Sequence, residues 1–499
     1  TEYFMISFNK SKILTCGLFA IISAISLYFF LVSHPTVIIS GDDWGNLTST
    51  RALYPQWGIA NPIKVMPELG YPLFAKLSTA LIMPLGFGFL ESFSIITAIF
   101  ITILLSLFLH QLFQLFNVNL SAGFLRSSIF VVFFYASIFF IFLKEGNHEN
   151  LYMLWEVNIT CFYHYIAPAL INSALSIFVI RNYRNFDVNI LKRNGVWYSS
   201  SIFFASYIAV FSSMFANIIL AITCGVTLLF SLINNKLSIT KTIKESTLQI
   251  FTLTAWVVAV IYEANGGRAA SLGSGSLDIY GTLSVLNYLI EQVQPAFKYS
   301  ATALVSIGII SSLYSLIRNK NRDQSIVFFI VFISGVLSLI ALVLLCARAG
   351  SYYAARPVVM WGGFLYVSMA SFITIDILAK DRTKLINALL AFCTIILVYK
   401  GLTSNSTLKQ SINLNLSYSQ AKAVSQNIID QVISTDRNNG TNMILYVPKG
   451  DDHDNWPFPI YEGPFIGKAL KNYGIIQNDI YIEVKPDIYL NQKMSVPIS

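Results

Sequence analysis

An apolar run about as long as a bilayer is thick, nearly free of charge, recurs eleven times along this chain. The runs fall at about 13–33, 93–116, 127–143, 161–180, 198–214, 216–233, 247–263, 299–317, 325–346, 357–379 and 384–400. An α-helix rises about 1.5 Å per residue, so roughly 20 apolar residues cross about 30 Å of hydrocarbon. Only 12% of the 499 residues are charged, against about a quarter in soluble domains. The expected fold class is therefore an all-α polytopic membrane protein with about 11 transmembrane helices. The formal charge of +8 does not point to nucleic acid, because the bases are scattered in short loops. The five cysteines lie mostly inside or at the ends of apolar runs without paired spacing, which supports neither a disulfide framework nor a zinc site. The first run lacks a small-x-small cleavage site and is expected to stay as a helix.

The loops alternate in charge. One set holds Lys10, Lys12, Arg126, Arg181, Arg184, Lys192, Arg193, Lys236, Lys241, Lys244, Arg318, Lys320, Arg322, Lys380, Arg382 and Lys384. The other holds half as many bases: Arg51, Lys64, Lys76, Lys144, Arg268, Lys298, Arg348 and Arg356. Bases concentrate on the cytoplasmic side of membrane proteins, which places the N-terminus inside and the tail after 400 outside. The segment 73–90 is apolar but carries Lys76, Pro84, Gly86 and Gly88. Counted as a span it would invert every later loop, so it is expected to be interfacial or re-entrant on the outer side. Acids favour the outer loops, with Asp42, Asp43, Glu68, Glu91, Glu145, Glu149, Glu156, Glu263, Asp278 and Glu291 there. Beyond Lys400 the composition turns polar, with a helix expected at about 417–434 and a strand at 443–448. This tail is expected to form a small α/β domain that packs on the membrane part and helps to form a cleft.

The strongest local feature is Gly41-Asp42-Asp43-Trp44-Gly45-Asn46, just beyond the first run. Sugar transfer from a lipid phosphate needs a base for the acceptor hydroxyl and positive charge for the departing phosphate. Adjacent carboxylates can supply that base and a partner that orients it. A solvated turn is the competing account of the same residues.

In this position the motif resembles that of the GT-C superfamily of polyprenyl-phosphate-dependent glycosyltransferases, which carry an Asp-Asp or Asp-Glu type pair in the first extracytoplasmic loop. Within that superfamily the layout is similar to the serotype-converting O-antigen glucosyltransferases of enteric bacteria and their phages. The resemblance implies a GT-C-like transmembrane domain over 1–400, with periplasmic loops 34–92, 144–160, 264–298 and 347–356, and a periplasmic C-terminal domain over 401–499. It implies a multi-pass protein of the bacterial inner membrane with a cytoplasmic N-terminus. The implied activity is inverting transfer of a glucosyl (hexosyl) residue from undecaprenyl-phosphate glucose to lipid-linked O-antigen, a lipopolysaccharide modification that converts serotype. It would depend on a lipid-glucose synthase and a flippase. Asp42 or Asp43 would be the catalytic acidic residue, with the other assisting. No cofactor is demanded; if a divalent cation takes part, Asp42 and Asp43 are the candidate ligands.

Further candidates surround this pair. Trp44 and Glu68 share its loop. Asn147-His148-Glu149-Asn150, Trp155-Glu156 and Tyr163-His164-Tyr165 offer carboxylates, imidazoles and rings suited to sugar hydroxyls and C–H faces, so His148, Glu149, Glu156, Tyr163 and His164 are candidate substrate contacts. Interfacial aromatic belts explain the same rings otherwise. Arg268, Arg348 and Arg356 are candidates for the lipid phosphate, which guanidinium groups bind bidentately. In the tail, Lys449-Gly450-Asp451-Asp452-His453-Asp454-Asn455-Trp456-Pro457 precedes Tyr461-Glu462-Gly463, and Trp456 is the candidate for stacking on a sugar. No phosphate-binding glycine loop and no G-x-G-x-x-G motif occur, which favours a lipid-linked donor over a nucleotide sugar. The alternatives are a lipid-linked oligosaccharide flippase and an O-antigen polymerase or ligase.

Overall fold

The computed structural model describes residues 2–48, 64–142, 151–156, 158–183, 195–265, 277–318, 321–379, 383–404 and 416–497. Among them nine helices are long and apolar enough to cross a membrane: Ser11–Ser33, Phe89–Asn119, Ile159–Asn182, Met214–Asn234, Thr247–Ala264, Pro295–Ile317, Arg322–Ala349, Trp361–Leu378 and Thr383–Thr403. Two shorter apolar helices, Phe124–Phe140 and Val196–Val210, stand at the third and fifth apolar runs. The architecture is that of an all-α multi-pass membrane protein. The segment at 73–90 is helical: Tyr71–Leu77 continues through Ser78–Ile82 and Met83–Leu85. It stops at Gly86, whose φ of 98° a residue with a Cβ rarely adopts. The loop expected at 264–298 contains a helix, Ile279–Glu291, whose first turn is capped by the Asp278 side chain accepting from Gly281 N–H.

The chain divides into two compact units. The first comprises Thr1–Phe19, Leu105–Trp155 and Pro168–Lys409, and the second Ala20–Leu104, Glu156–Ala167 and Gln410–Ser499.

The first unit is a helix bundle. Lipid gives helices no hydrophobic reason to associate, so close packing and buried hydrogen bonds must hold them. A Cβ on Gly308 would come within 2.2 Å of Thr374 Oγ1 and 2.4 Å of Phe328 Cε2, so glycine alone lets these helices meet. Trp361 Nε1 donates to Ser173 Oγ at 2.8 Å, and the Phe130 and Phe372 rings stack 4.7 Å apart. A buried polar knot ties four helices: Arg126 Nη1 meets Asp376 Oδ1 at 2.5 Å, and Arg126 Nε donates to Asn387 Oδ1 at 3.1 Å. Gln324 Nε2 donates to Asp376 Oδ2 at 3.0 Å.

The second unit joins the first loop to the tail. Helix Tyr418–Arg437 starts in a capping box between Ser417 and Gln420. It buries Ala421, Val424, Ser425, Ile428, Ile429 and Val432, one stripe at helical spacing. Strand β1 (Asn442–Val447) pairs in parallel with β2 (Tyr481–Pro486), with Leu445 opposite Val484. A parallel pair needs a crossover, and helix Gly463–Asn472 supplies it. Gly463 is required there, because a Cβ would lie 2.2 Å from Ile482 O. Several bonds fix the tail to the first loop and to the helix that follows it. Ser425 Oγ donates to Ile38 O, and Tyr473 Oη donates to Leu47 O at 3.1 Å. Lys422 Nζ meets Glu91 Oε1 at 2.5 Å.

Candidate functional site

Beyond the first spanning helix the chain reaches Ser40, whose carbonyl oxygen, at the start of helix Gly41–Thr48, accepts from Asp43 N–H at 2.9 Å and Trp44 N–H at 3.2 Å. Asp43, three residues on, returns the bond: its Oδ2 accepts from Ser40 N–H at 3.1 Å and Ile39 N–H at 3.0 Å. The Asp43 half of this exchange is that of a capping box, and Ser40-x-x-Asp43 is its sequence signature. The other oxygen, Oδ1, accepts from Thr160 N–H at 2.9 Å, in the first turn of spanning helix Ile159–Asn182. Asn158 caps that helix through Cys161 N–H and donates to Ser40 Oγ at 3.1 Å. One carboxylate thus serves the N-terminal ends of two helices, where backbone dipoles favour negative charge.

The two adjacent aspartates face different surroundings. A helix turns about 100° per residue, so neighbours cannot share a face. Asp42 is exposed and Asp43 is fully buried. Burial pushes the Asp43 carboxyl up to about 6, against the pull of its backbone donors. Tyr71 Oη donates to Asp43 O at 3.3 Å and is itself buried.

The tail closes over the first turn of the acidic helix. Gly41 N–H donates to Pro457 O at 3.1 Å. A Cβ at position 41 would lie 2.4 Å from Pro459 Cγ and 3.6 Å from Glu462 Oε2. Glu462 has no exposed surface, and neither of its carboxyl oxygens has a hydrogen-bond partner. Its carboxyl stands well above the ordinary glutamate range, first because it is desolvated and second because of the charge on Asp43. Tyr461 is exposed, and its hydroxyl is raised by burial and then by Asp454, Asp42, Glu462 and Asp451.

The second unit also contains Trp44, Glu68, Glu156, Tyr163, His164 and Trp456. Trp44 is buried, with no partner for Nε1. Tyr163 lies in an aromatic stack, 5.0 Å from Tyr71, with its hydroxyl 3.2 Å from Thr97 Oγ1. Neither ring presents a face to a sugar in this conformation. Glu68 and Glu156 are buried, and His164 and Trp456 are half-buried. Trp456 N–H donates to Asp451 Oδ1 and Asp454 Oδ1, both at 3.1 Å, so this aspartate-rich loop is knitted by its own carboxylates. Arg348 and Arg356 belong to the first unit and are half-buried, the latter 5.2 Å over the Tyr353 ring. His148, Glu149 and Arg268 lie outside the described residues.

Asp42 and Asp43 do not fit a metal site. Both Asp43 oxygens are taken by backbone amides, and no group of three or more His, Cys, Asp or Glu side chains is placed to hold an ion among the described residues. Ser40, Asn158, Tyr71 and Glu462 had no assigned role in the sequence, although the Ser40-Asp43 spacing could have found the first. Nothing local marks Glu462 as buried. No protein-family model matches the chain, and no curated protein matches its sequence.

Proposed function

We propose that the chain is an inverting glycosyltransferase of the GT-C kind. It transfers a glucosyl residue from undecaprenyl phosphate to O-antigen repeat units on the periplasmic side of a bacterial inner membrane. The observation that carries this reading is the acidic helix: an exposed carboxylate, Asp42, stands beside a buried one, Asp43, shortly after the first spanning helix.

The chemistry assigns the two aspartates different work. Asp42 is the general base. It takes the proton of the acceptor hydroxyl as that oxygen bonds to the anomeric carbon and the carbon–oxygen bond to the lipid phosphate breaks. The bonding pair leaves with the phosphate, whose added charge calls for a positive partner; Arg268, Arg348 and Arg356 are the candidates that the sequence offers for it. Direct displacement inverts the anomeric carbon. Asp43 is a positioning residue, because three amides hold its carboxylate and it fixes the helix start that presents Asp42. A flippase would need charged groups in its spans along a path. The buried pair Arg126–Asp376 is instead bonded to Asn387 and Gln324, as a structural tie is.

The test is to express the chain in an O-antigen-producing strain with a matching lipid-glucose synthase and flippase, and to weigh the repeat unit. One added hexose per repeat, lost in Asp42→Asn at unchanged protein level, is the expected result. An unchanged repeat mass in a suitable acceptor strain sinks the reading, and a change in chain length alone would indicate a polymerase.

A further inference from the structure

The turn 457–462 carries a carboxyl, Glu462, that takes no direct part in the transfer step. Buried polar groups without partners destabilise a fold and call for an explanation; Glu462 is fully buried with both oxygens unpaired. A side chain with a purely space-filling role there would be expected to be apolar. Its Oε2 looks onto Gly41, the residue before Asp42, and Pro459 covers the same point. The Gly41 N–H bond to Pro457 O completes the seat, and Tyr461 stands within reach of the Asp42 charge.

We propose that Glu462 is a positioning residue for Asp42, seating the turn 457–462 on Gly41 and letting that seat open as pH rises. The seat is a property of the unit itself; that Asp42 is the base it positions rests on the sugar-transfer reading.

The direction follows from the surroundings. On the acidic helix the charged groups are Asp42 and Asp43; on its own side of the seat are Tyr461, Asp451 and Asp454. Tyr71 lies near Asp43, and Tyr473 lies near Tyr71. Behind the crossover helix, Glu483 and Lys485 are exposed and pair with each other at 3.2 Å. These neighbours at the seat are acids and phenols, so ionised Glu462 would be a second buried anion beside Asp43. Because its value is raised in the closed state, the seat is firm below the ordinary glutamate range and weakens as pH climbs through the raised value.

Amide hydrogen exchange on the purified full chain, corrected for intrinsic chemistry and run over about pH 5 to 9, tests this without any transfer assay. In the wild type, peptides covering 39–48 and 456–466 are expected to lose protection together, by about tenfold per pH unit once one proton is released. The β1 peptide 442–447 serves as the internal reference. Glu462→Gln keeps both peptides protected throughout, and Gly41→Ala exposes them at every pH. Flat wild-type protection, or a Glu462→Gln profile that follows the wild type, overturns the proposal. In the transfer assay, activity of Glu462→Gln relative to wild type rises with pH. A wild type that exchanges as expected but adds no hexose sinks the sugar-transfer reading and leaves the seat standing.

Discussion

In the first unit, Arg126 and Asp376 are 5% and 4% exposed and lie 2.5 Å apart, with Asn387 bonded to Arg126 Nε and Gln324 to Asp376 Oδ2. In the second, Asp43 and Glu462 are equally deep, yet they are two acids; one is held by three amides and the other has no hydrogen bond. The difference separates two reasons for burying charge. An opposite-sign pair, each member also bonded to a neutral side chain, joins helices that lipid would otherwise leave unconnected. A like-sign pair holds nothing together by its charge, and the role proposed for it is to position what stands beside it. Here that neighbour is exposed Asp42.

Breaking each cluster sharpens the contrast. The largest expected effect is at the exposed member: Asp42→Asn lowers hexose transfer by about 10²–10⁴-fold, the usual weight of a general base, while the melting temperature of the purified chain stays put. A parallel fall in melting temperature would make Asp42 structural instead.

Next is the compensated pair. Arg126→Ala or Asp376→Ala strands a buried charge and costs about 3–5 kcal/mol, read by denaturant unfolding in detergent. The double change Arg126→Met with Asp376→Leu recovers most of that loss. If each single variant is neutral, the knot is not a tie.

Asp43→Asn is expected to cost about 1–3 kcal/mol, because the amide group cannot accept from all three backbone donors. The effect depends on pH. With its carboxyl raised to about 6, wild-type Asp43 stabilises the unit at acid pH and loses that contribution as pH rises through about 6. The gap between wild type and Asp43→Asn therefore narrows across that window in thermal melts, and a gap that widens would reverse the assignment.

The smallest effect is at Lys422, whose bond to Glu91 is 2.5 Å long but whose partners are 32% and 42% exposed. Lys422→Ala should change stability by less than about 1 kcal/mol, and less still in high salt.

Much of the helical layout was legible in the sequence, because apolar length and charge asymmetry are properties of single segments read one at a time. Each of the apolar runs, from 13–33 to 384–400, overlaps an observed helix, and the strand at 443–448 overlaps β1 to within a residue at each end. The helix Ile279–Glu291 was missed because it is short and amphipathic and lies in a polar loop. At the site, the acidic pair was visible by its composition and place, while the cap, unread in the sequence, was open to detection from the Ser40-x-x-Asp43 spacing. Glu462 was not visible, since it stands next to Gly41 only after the tail has folded back across more than four hundred residues of chain.

The acidic pair with which the site begins thus has two parts of different origin. That a carboxylate pair would follow the first spanning helix is written in local order, which needs no tertiary contact. That Asp42 stays in water, Asp43 is spent on two helix ends and Glu462 presses unpaired on Gly41 was decided only by folding. Burial and like-charge proximity depend on which distant segments meet, and no pattern of neighbouring residues encodes that.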